Sequence, residues 1–140
     1  DVALLKFCYE DVTAETDVDA LFRSYSGTLA ALERDFPKVT FLHSTAPLRT
    51  GSGGIKGAVK VLLGRDDNVA RERYNALVRQ AFGPDRLFDL AMLEATAPDG
   101  ERLSSLYPGY TSDGGHLNAA GSSLAAATLL RLVADASTPG

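Results

Sequence analysis

The sequence predicts an α/β fold, a three-layer α/β/α arrangement in which helices cover both faces of a parallel sheet. Short runs of apolar and β-branched residues alternate along the chain with longer segments whose apolar residues recur every three or four positions. The second spacing indicates amphipathic helices. A helix between two strands brings the chain back to the same end of the sheet, so that neighbouring strands run parallel and their crossovers are right-handed. The length of 140 residues suits one domain.

The composition is that of a globular protein, and it excludes several classes of partner. Hydrophobic residues make up 45% of the chain and charged residues 23%, which argues against disorder or a fibrous repeat. The net charge of −4 indicates no basic surface for nucleic acid. No apolar run reaches the roughly 20 residues of a transmembrane helix. We therefore expect neither a nucleic-acid partner nor a membrane span, while the compartment, secreted and periplasmic locations included, stays open.

The first strand is predicted over residues 2–9, where an apolar run is broken only by Lys6. Such a run is typical of a strand that is buried on both faces of a sheet. The first helix is expected to begin at the N-cap Asp17 and to end before Pro37. A second strand is predicted over residues 39–42, and His43 follows it directly.

A glycine-rich connection over residues 48–67 is predicted to form a flexible flap over a cleft. Its residues 51–57 lack the spacing of a phosphate-binding loop. A second helix is expected to begin at the cap Asn68 and to stop at Gly83 and Pro84. The remaining predicted elements are a third strand over residues 87–93, a loop over 94–115, a last helix over 118–134 and a frayed tail over 136–140.

The carboxyl ends of the predicted strands are where an open α/β sheet carries its chemistry. Polar residues follow each of them: Glu10 and Asp11 after the first strand, His43 and Ser44 after the second, and Glu94 after the third. Asp11 is expected to hold its loop by accepting hydrogen bonds from backbone amides. His43 either lines the cleft or, as the favoured alternative, bonds to nearby backbone.

The most informative spacing lies just before the last helix, where an aspartate precedes a histidine by three residues in a glycine-containing turn. This spacing allows the Asp113 carboxylate to fold back onto the His116 imidazole, fix its tautomer and stabilise the imidazolium. Histidine suits the role of general base because its ordinary pKa lies near neutral pH. The alternative is a structural motif in which Asp113 caps the helix and His116 is an ordinary surface residue.

The segment DGGHLNAAG, residues 113–121, resembles the last block of the SGNH, or GDSL-type, hydrolases, whose hallmark is Asp-x-x-His just before the C-terminal helix. The opening KFCYEDV, residues 6–12, resembles a divergent branch with a KFCY-x-D pattern. The resemblance implies a flavodoxin-like SGNH hydrolase fold that lacks its first strand or strands, with residues 1–140 forming one partial domain. It also implies that His116 is the general base, that Asp113 orients it and that the nucleophilic serine lies upstream of this chain.

The function that this resemblance implies is hydrolysis of an acyl or acetyl ester of a carbohydrate or lipid, without a cofactor. The missing N-terminal segment, or another subunit in its place, would complete the sheet. Glu10 stands where the family has its oxyanion asparagine, and an ionised carboxylate cannot donate a hydrogen bond to an oxyanion. The alternative is therefore a non-catalytic α/β binding module that has lost this asparagine. A nucleotide or phosphate binder of flavodoxin-like layout is a weaker third hypothesis, because fold analogy alone supports it.

The other reactive side chains are predicted to be structural. Ser44, Ser52 and Ser112 are the candidate nucleophiles within the chain, but loop or capping roles are favoured for each. Cys8 lies in a strand that is expected to be buried, which predicts an inert core thiol. Two histidines and scattered carboxylates form no recognisable zinc pattern, so no metal site is expected.

Overall fold

The computed structural model describes residues 1–51 and 54–137. Ser52, one of the candidate nucleophiles, and residues 138–140 of the tail lie outside the described residues. The elements, in chain order, are β1 (Val2–Leu5), α1 (Val18–Asp35), β2 (Thr40–Ser44), α2 (Gly54–Leu62), α3 (Asp67–Ala81), β3 (Leu87–Phe88), α4 (Leu90–Glu94), a 3₁₀ turn (Pro108–Tyr110) and α5 (Ala119–Ser137).

The three strands form one parallel sheet in the order β1-β2-β3, as the alternation of strands and helices predicts. Leu4 of β1 lies opposite Leu42 of β2, and Ser44 of β2 lies opposite Phe88 of β3. All three strands therefore end at the same edge of the sheet, where the loops that follow them meet.

Helices lie on both faces of this sheet. Successive side chains of a strand point to opposite faces, so Phe41 and His43 share one face of β2 while Leu42 lies on the other. Phe41 packs with Tyr25 of α1, and His43 bonds to the same tyrosine. Leu4, in register with Leu42, faces α5 across a cleft that both line. The predicted three-layer α/β/α arrangement is thus confirmed, with α1 on one face and α5 on the other.

The main core lies between the sheet and the pair of helices α1 and α3. Its buried members come from both helices and from the loops at the carboxyl edge: Val12, Val18, Ala46, Tyr74 and Val78. A second cluster lies where α4 and the 3₁₀ turn contact α5. It consists of Leu48, Ala91, Ala95, Leu106 and Tyr110. Gly121 lets α5 approach closely, because a Cβ there would lie 2.9 Å from the carbonyl oxygen of Tyr110.

The first strand is shorter and more exposed than the sequence predicts. It ends at Leu5 and pairs only with β2 among the described residues, so it forms an edge of the sheet. Leu4 is 36% exposed and Leu5 50% exposed. The expectation of burial on both faces is therefore wrong for this chain. Cys8 follows the strand, and its side chain is exposed rather than buried in the core.

Two other boundaries differ for local reasons. The predicted flap contains a helix, α2, and the helix after it is capped by Asp66 rather than Asn68. The predicted third strand stops at Phe88 because the Asp89 side chain accepts a hydrogen bond from the amide of Met92 and begins α4. Helix α5 continues to Ser137, three residues beyond the predicted end at residue 134, and the predicted fraying of the tail stays a prediction. The N-cap Asp17 of α1 is confirmed, with its carboxylate 2.9 Å from the amide of Ala20.

None of the helices in the described ranges combines the length and the apolar character that a membrane crossing requires.

Candidate active site

The turn that carries Asp113 and His116 is closed by local contacts and joined to the start of α5. Thr111 and Leu117 form an isolated antiparallel bridge that brackets the turn. Gly114 has φ +83°, a left-handed conformation that glycine adopts without steric cost. The Asn118 side chain then accepts hydrogen bonds from the amides of Ala120 and Gly121, at 3.0 and 3.1 Å. These contacts fix where the turn ends and α5 begins.

Within this turn the two predicted catalytic side chains meet directly. The Nδ1 atom of His116 lies 2.6 Å from Oδ2 of Asp113. Because an ionised carboxylate can only accept, Nδ1 carries the proton and donates it in this hydrogen bond. The Nε2 atom of the neutral ring is then left with a lone pair that can take a proton. This is the tautomer that a general base requires.

The same carboxylate is held by the backbone, which keeps it charged. Oδ1 of Asp113 accepts hydrogen bonds from the amides of His116 and Gly115, at 2.8 and 2.9 Å. The His116 side chain, followed by these two amides, holds the pKa of the Asp113 carboxyl far below its ordinary range. Asp113 is therefore ionised across the physiological pH range and available to stabilise an imidazolium.

The alternative interpretation of this motif is that Asp113 caps the last helix, and the structure gives that role to another residue. Asn118, not Asp113, caps α5, while Asp113 bonds both to amides within its own turn and to the imidazole. The His116 and Asp113 side chains are 72% and 57% exposed. The pair is thus assembled at the surface of the described chain, with Nε2 accessible.

Tyr9 is the third side chain at this site, and the sequence analysis did not single it out. Its hydroxyl lies 3.5 Å from Nε2 of His116, and the two rings meet edge to face with centroids 5.5 Å apart. A Cβ at Gly115 would lie 3.1 Å from the tyrosine ring, so the glycine leaves room for it. The only signal in the sequence is the KFCY pattern, because the contact joins residues 107 positions apart.

An apolar cleft of about 410 Å³ opens beside His116. It lies between β1, β3, α4 and α5. Its lining includes His116, which with Asp113 we call the dyad, and also Tyr9 and Cys8. The other lining residues are mostly apolar: Leu4, Lys6, Pro47, Phe88, Leu90, Glu94, Gly115, Leu117, Ser122, Ala125, Ala126 and Leu129. We call this space the apolar cleft.

Glu94 is a buried carboxyl in the wall of the apolar cleft. It is 1% exposed, and Oε2 accepts a hydrogen bond of 2.6 Å from the amide of Leu48. Burial raises the pKa of Glu94 to about 7, against the opposing effects of the Leu48 amide and of the charges on Lys6 and Arg71. The sequence predicts that Glu94 follows a strand, but the residue lies at the end of α4.

Of the two acidic residues predicted after the first strand, the structure brings neither to the dyad. Asp11 holds its own loop, with Oδ2 2.6 Å from the amide of Cys8 and its amide 3.1 Å from the Cys8 carbonyl oxygen. Glu10 is exposed on the turn and does not line the apolar cleft. A support role for Asp11 and a role for Glu10 near the substrate stay predictions.

His43 lies in the core and not in the apolar cleft. It is the fourth residue of β2, and its Nδ1 atom lies 3.2 Å from the hydroxyl of Tyr25. Its ring stacks on Phe82 with centroids 3.5 Å apart. Burial lowers the pKa of His43, which favours the neutral ring that such packing requires. Of the two alternatives for His43, a place in the cleft wall is therefore wrong, and the ring bonds to the Tyr25 side chain rather than to the nearby backbone that the favoured alternative named.

No serine among the described residues lies within hydrogen-bonding distance of the His116 ring. Ser44 is buried and donates to the carbonyl oxygen of Thr45. Ser112 is exposed in the turn. The prediction that Cys8 is an inert core thiol is wrong, because the residue lines the apolar cleft together with His116. Across the described ranges, no three histidine, cysteine or acidic side chains converge as metal ligands would.

Comparison with known proteins finds one structural likeness. The chain is similar to a solved structure of a protein from Streptococcus pneumonia whose name refers to platelet activating factor, with a TM-score of 0.66 and 16% sequence identity. The match covers 94% of this chain and 58% of that chain, so the described fold spans little more than half of the longer protein. At this identity the likeness shows the α/β fold alone. No family model and no curated protein matches the sequence.

Proposed function

We propose that this chain contributes the general base and its orienting acid to a serine-type ester hydrolase of the SGNH class. The observation that carries the proposal is the Asp113–His116 pair, in which a 2.6 Å hydrogen bond from Nδ1 leaves the lone pair of Nε2 as the proton acceptor, 3.5 Å from the Tyr9 hydroxyl. The pair lies at the carboxyl edge of a parallel sheet and beside an apolar cleft. This is the position in which open α/β sheets hold their substrates.

The reaction is acyl transfer through a covalent intermediate. A serine hydroxyl attacks the ester carbonyl carbon while Nε2 of His116 takes the hydroxyl proton, and Asp113 stabilises the imidazolium that forms. Collapse of the tetrahedral intermediate breaks the bond to the alcohol, which leaves with the proton from His116. Water then attacks the acyl-enzyme by the same route and releases the acid.

The nucleophile is proposed to come from a segment that pairs with the free edge of β1. Within the described ranges β1 has a neighbour on one side only, and Leu4 and Leu5 are partly exposed there. A parallel strand added at this edge would end next to Tyr9 and His116, because parallel strands share one carboxyl edge. That segment belongs either to the full-length protein or to another subunit.

The apolar cleft supports an ester with a hydrocarbon part, such as an acyl or acetyl ester of a lipid or carbohydrate. Its wall is formed mainly by aliphatic and aromatic side chains, including Leu90, Phe88 and Leu129. Apolar pockets with a few convergent polar groups are the usual form of small-molecule sites. The polar groups here include His116, Tyr9 and the buried carboxyl of Glu94.

The test combines active-site labelling with substitution at the dyad in the full-length protein. We expect a fluorophosphonate probe to label one serine, and His116→Ala to abolish both labelling and hydrolysis of an aryl acetate. Asp113→Asn should lower kcat/KM by about 10²-fold or more, because it removes the charge that fixes the tautomer. Asp99→Asn, at an exposed aspartate outside the cleft, is the matched control and should change neither.

A non-catalytic binding module is the second candidate, and one observation favours it. Glu10, at the position of the oxyanion asparagine, is exposed and does not line the apolar cleft. The binding module predicts that the full-length protein takes up no fluorophosphonate and hydrolyses no ester. It also predicts that an apolar ester binds with an affinity that His116→Ala leaves unchanged. These results together would establish the binding module and contradict the hydrolase.

A further inference from the structure

A second cavity, of about 260 Å³, is lined by Arg49 and Arg71, whose guanidinium groups lie 5.1 and 5.9 Å from the centroid of the Tyr9 ring. It is polar, and its walls come from the segment after β2, from α2 and from the start of α3. Four cations and two carboxylates are among its lining residues, which are Arg49, Thr50, Lys60, Arg65, Asp66, Asp67, Asn68 and Arg71. We call it the cationic pocket.

Both carboxylates of the cationic pocket are already occupied by the protein. Asp66 caps α3 by accepting a hydrogen bond of 2.8 Å from the amide of Asn68. Asp67 accepts from the amide of Ala14 at 2.8 Å and pairs with Arg71 at 3.6 Å. Each carboxylate therefore has a partner within the protein, and the four cations outnumber the two carboxylates, so that the lining carries a net positive charge.

Arg71 forms the rigid inner wall of the pocket. It is 2% exposed, and its guanidinium donates to the Tyr9 carbonyl oxygen at 2.9 Å and to Oδ1 of Asn68 at 2.8 Å. Burial lowers the pKa of Arg71, and the charge of Asp67 offsets this only in part. A buried guanidinium with a partial counter-charge favours an anion in the adjoining space.

The three outer cations have no carboxylate partner in the part of the chain that the structure describes. Arg49, Lys60 and Arg65 form no ion pair with any of the described residues, although the pairs of other arginines are short and well defined. Three unpaired cations that converge on one cavity repel one another, and a bound anion removes that repulsion. The arrangement therefore supplies both charge and hydrogen-bond donors to a ligand.

The cationic pocket is joined to the dyad through shared residues. The Arg49 guanidinium lies over the Tyr9 ring, 5.1 Å from its centroid, and the same tyrosine contacts His116. Thr50 bonds to the carbonyl oxygen of Gly114 through its amide at 2.9 Å and its hydroxyl at 3.3 Å. A ligand held in the pocket lies one aromatic ring away from the proposed base.

We infer that the cationic pocket binds a tetrahedral oxyanion, a phosphate or sulfate group, carried by the substrate close to the ester that is cleaved. Guanidinium groups match phosphates and carboxylates alike through paired N–H donors, but a tetrahedral oxyanion has three or more acceptor oxygens and can bond to several cations at once. The part of this inference that concerns the substrate rests on the proposed function. Anion binding by the pocket does not, since none of the residues involved belongs to the dyad.

The test is a titration of the full-length protein with inorganic phosphate and with glycerol phosphate at constant ionic strength, followed by amide NMR. We expect saturable shifts at Thr50, Asn68 and Arg71 with both ligands, tighter for the ester, and a much weaker response to acetate. Arg49→Gln and Arg65→Gln should each weaken binding by about tenfold, the loss expected for one charge-assisted hydrogen bond. No saturation, or equal binding of acetate, overturns the inference.

Two controls separate this result from the proposed hydrolysis. Arg23→Gln removes an exposed charge on α1 that does not line the pocket, and it should leave phosphate binding unchanged. Equal weakening by Arg23→Gln would reduce the effect to general electrostatics and overturn the inference. His116→Ala should also leave phosphate binding unchanged, so that loss of hydrolysis and loss of anion binding are observed independently. Inorganic phosphate that binds while glycerol phosphate does not would contradict a substrate-borne anion.

Discussion

Replacing Glu94 by glutamine should change how the stability of the protein depends on pH. Glu94 is 1% exposed, and burial raises its pKa from the ordinary value of 4.5 to about 7. The folded protein holds the proton of Glu94 more tightly than the unfolded chain does. The protonated side chain therefore stabilises the fold in full at pH values below the pKa that Glu94 has in the unfolded chain. The effect is lost as the pH rises toward the folded pKa. A glutamine at this position cannot titrate, yet its carbonyl oxygen can still accept the hydrogen bond from Leu48.

The size of the effect follows from the pKa shift. One unit corresponds to about 1.4 kcal/mol, so a shift from 4.5 to about 7 corresponds to about 3 kcal/mol in the free energy of unfolding. We expect the wild-type protein to lose this amount between about pH 4 and about pH 8 relative to Glu94→Gln. Urea denaturation at several pH values, with both proteins in the same buffers, measures the difference directly.

Other carboxylates also titrate in this range, which is why the comparison is made between variants. Glu101→Gln removes one exposed carboxylate and serves as the matched control for the loss of a negative charge. If the curves of free energy against pH for wild type and Glu94→Gln run parallel, Glu94 is not a buried acid with a raised pKa and the argument fails. The same failure follows if Glu101→Gln changes the curve as much as Glu94→Gln does.

Two further pairs of substitutions test the packing, each measured by urea denaturation. Tyr74→Phe should raise the free energy of unfolding by about 1 kcal/mol, because its buried hydroxyl has no hydrogen-bond partner among the described residues. Tyr25→Phe, which removes a hydrogen bond to His43, should lower it by a similar amount, and shifts of the same sign would refute this assignment. Gly121→Ala should destabilise by about 1–3 kcal/mol, since its Cβ would meet a backbone carbonyl at 2.9 Å. Gly27→Ala, in the open on α1, should instead stabilise by about 0.5–1 kcal/mol, and an equal loss at both glycines would contradict the steric reason.

The features that local spacing determines could be predicted from the sequence. The Asp113–His116 contact joins residues three positions apart, so one turn decides it. The helix that begins after Asp17 likewise follows from a cap and an apolar period. The parallel sheet followed from the alternation of elements, which restricts topology through the handedness of crossovers.

The features that the sequence did not predict depend on distant contacts or on competition between neighbouring signals. Tyr9 reaches the dyad only because β1 and the turn before α5 meet in the fold. The apolar residues of 87–93 fit a strand or a helix, and the cap at Asp89 decides for a helix after Phe88. His43 is a polar residue at a strand end, where the sequence allows a place in the cleft. Packing of its ring against Phe82, 39 positions along the chain, places it in the core instead.

The bridge between Thr111 and Leu117 has a kinetic consequence for how the site is assembled. It closes a loop of seven residues that contains both Asp113 and His116. Closing so short a loop costs little chain entropy and takes place on the fastest timescales of folding. Asp113 and His116 therefore form a local unit that does not wait for distant strands to pair. For the hydrolase proposed above, we expect local unfolding at the β1 edge to abolish activity while this pair stays formed.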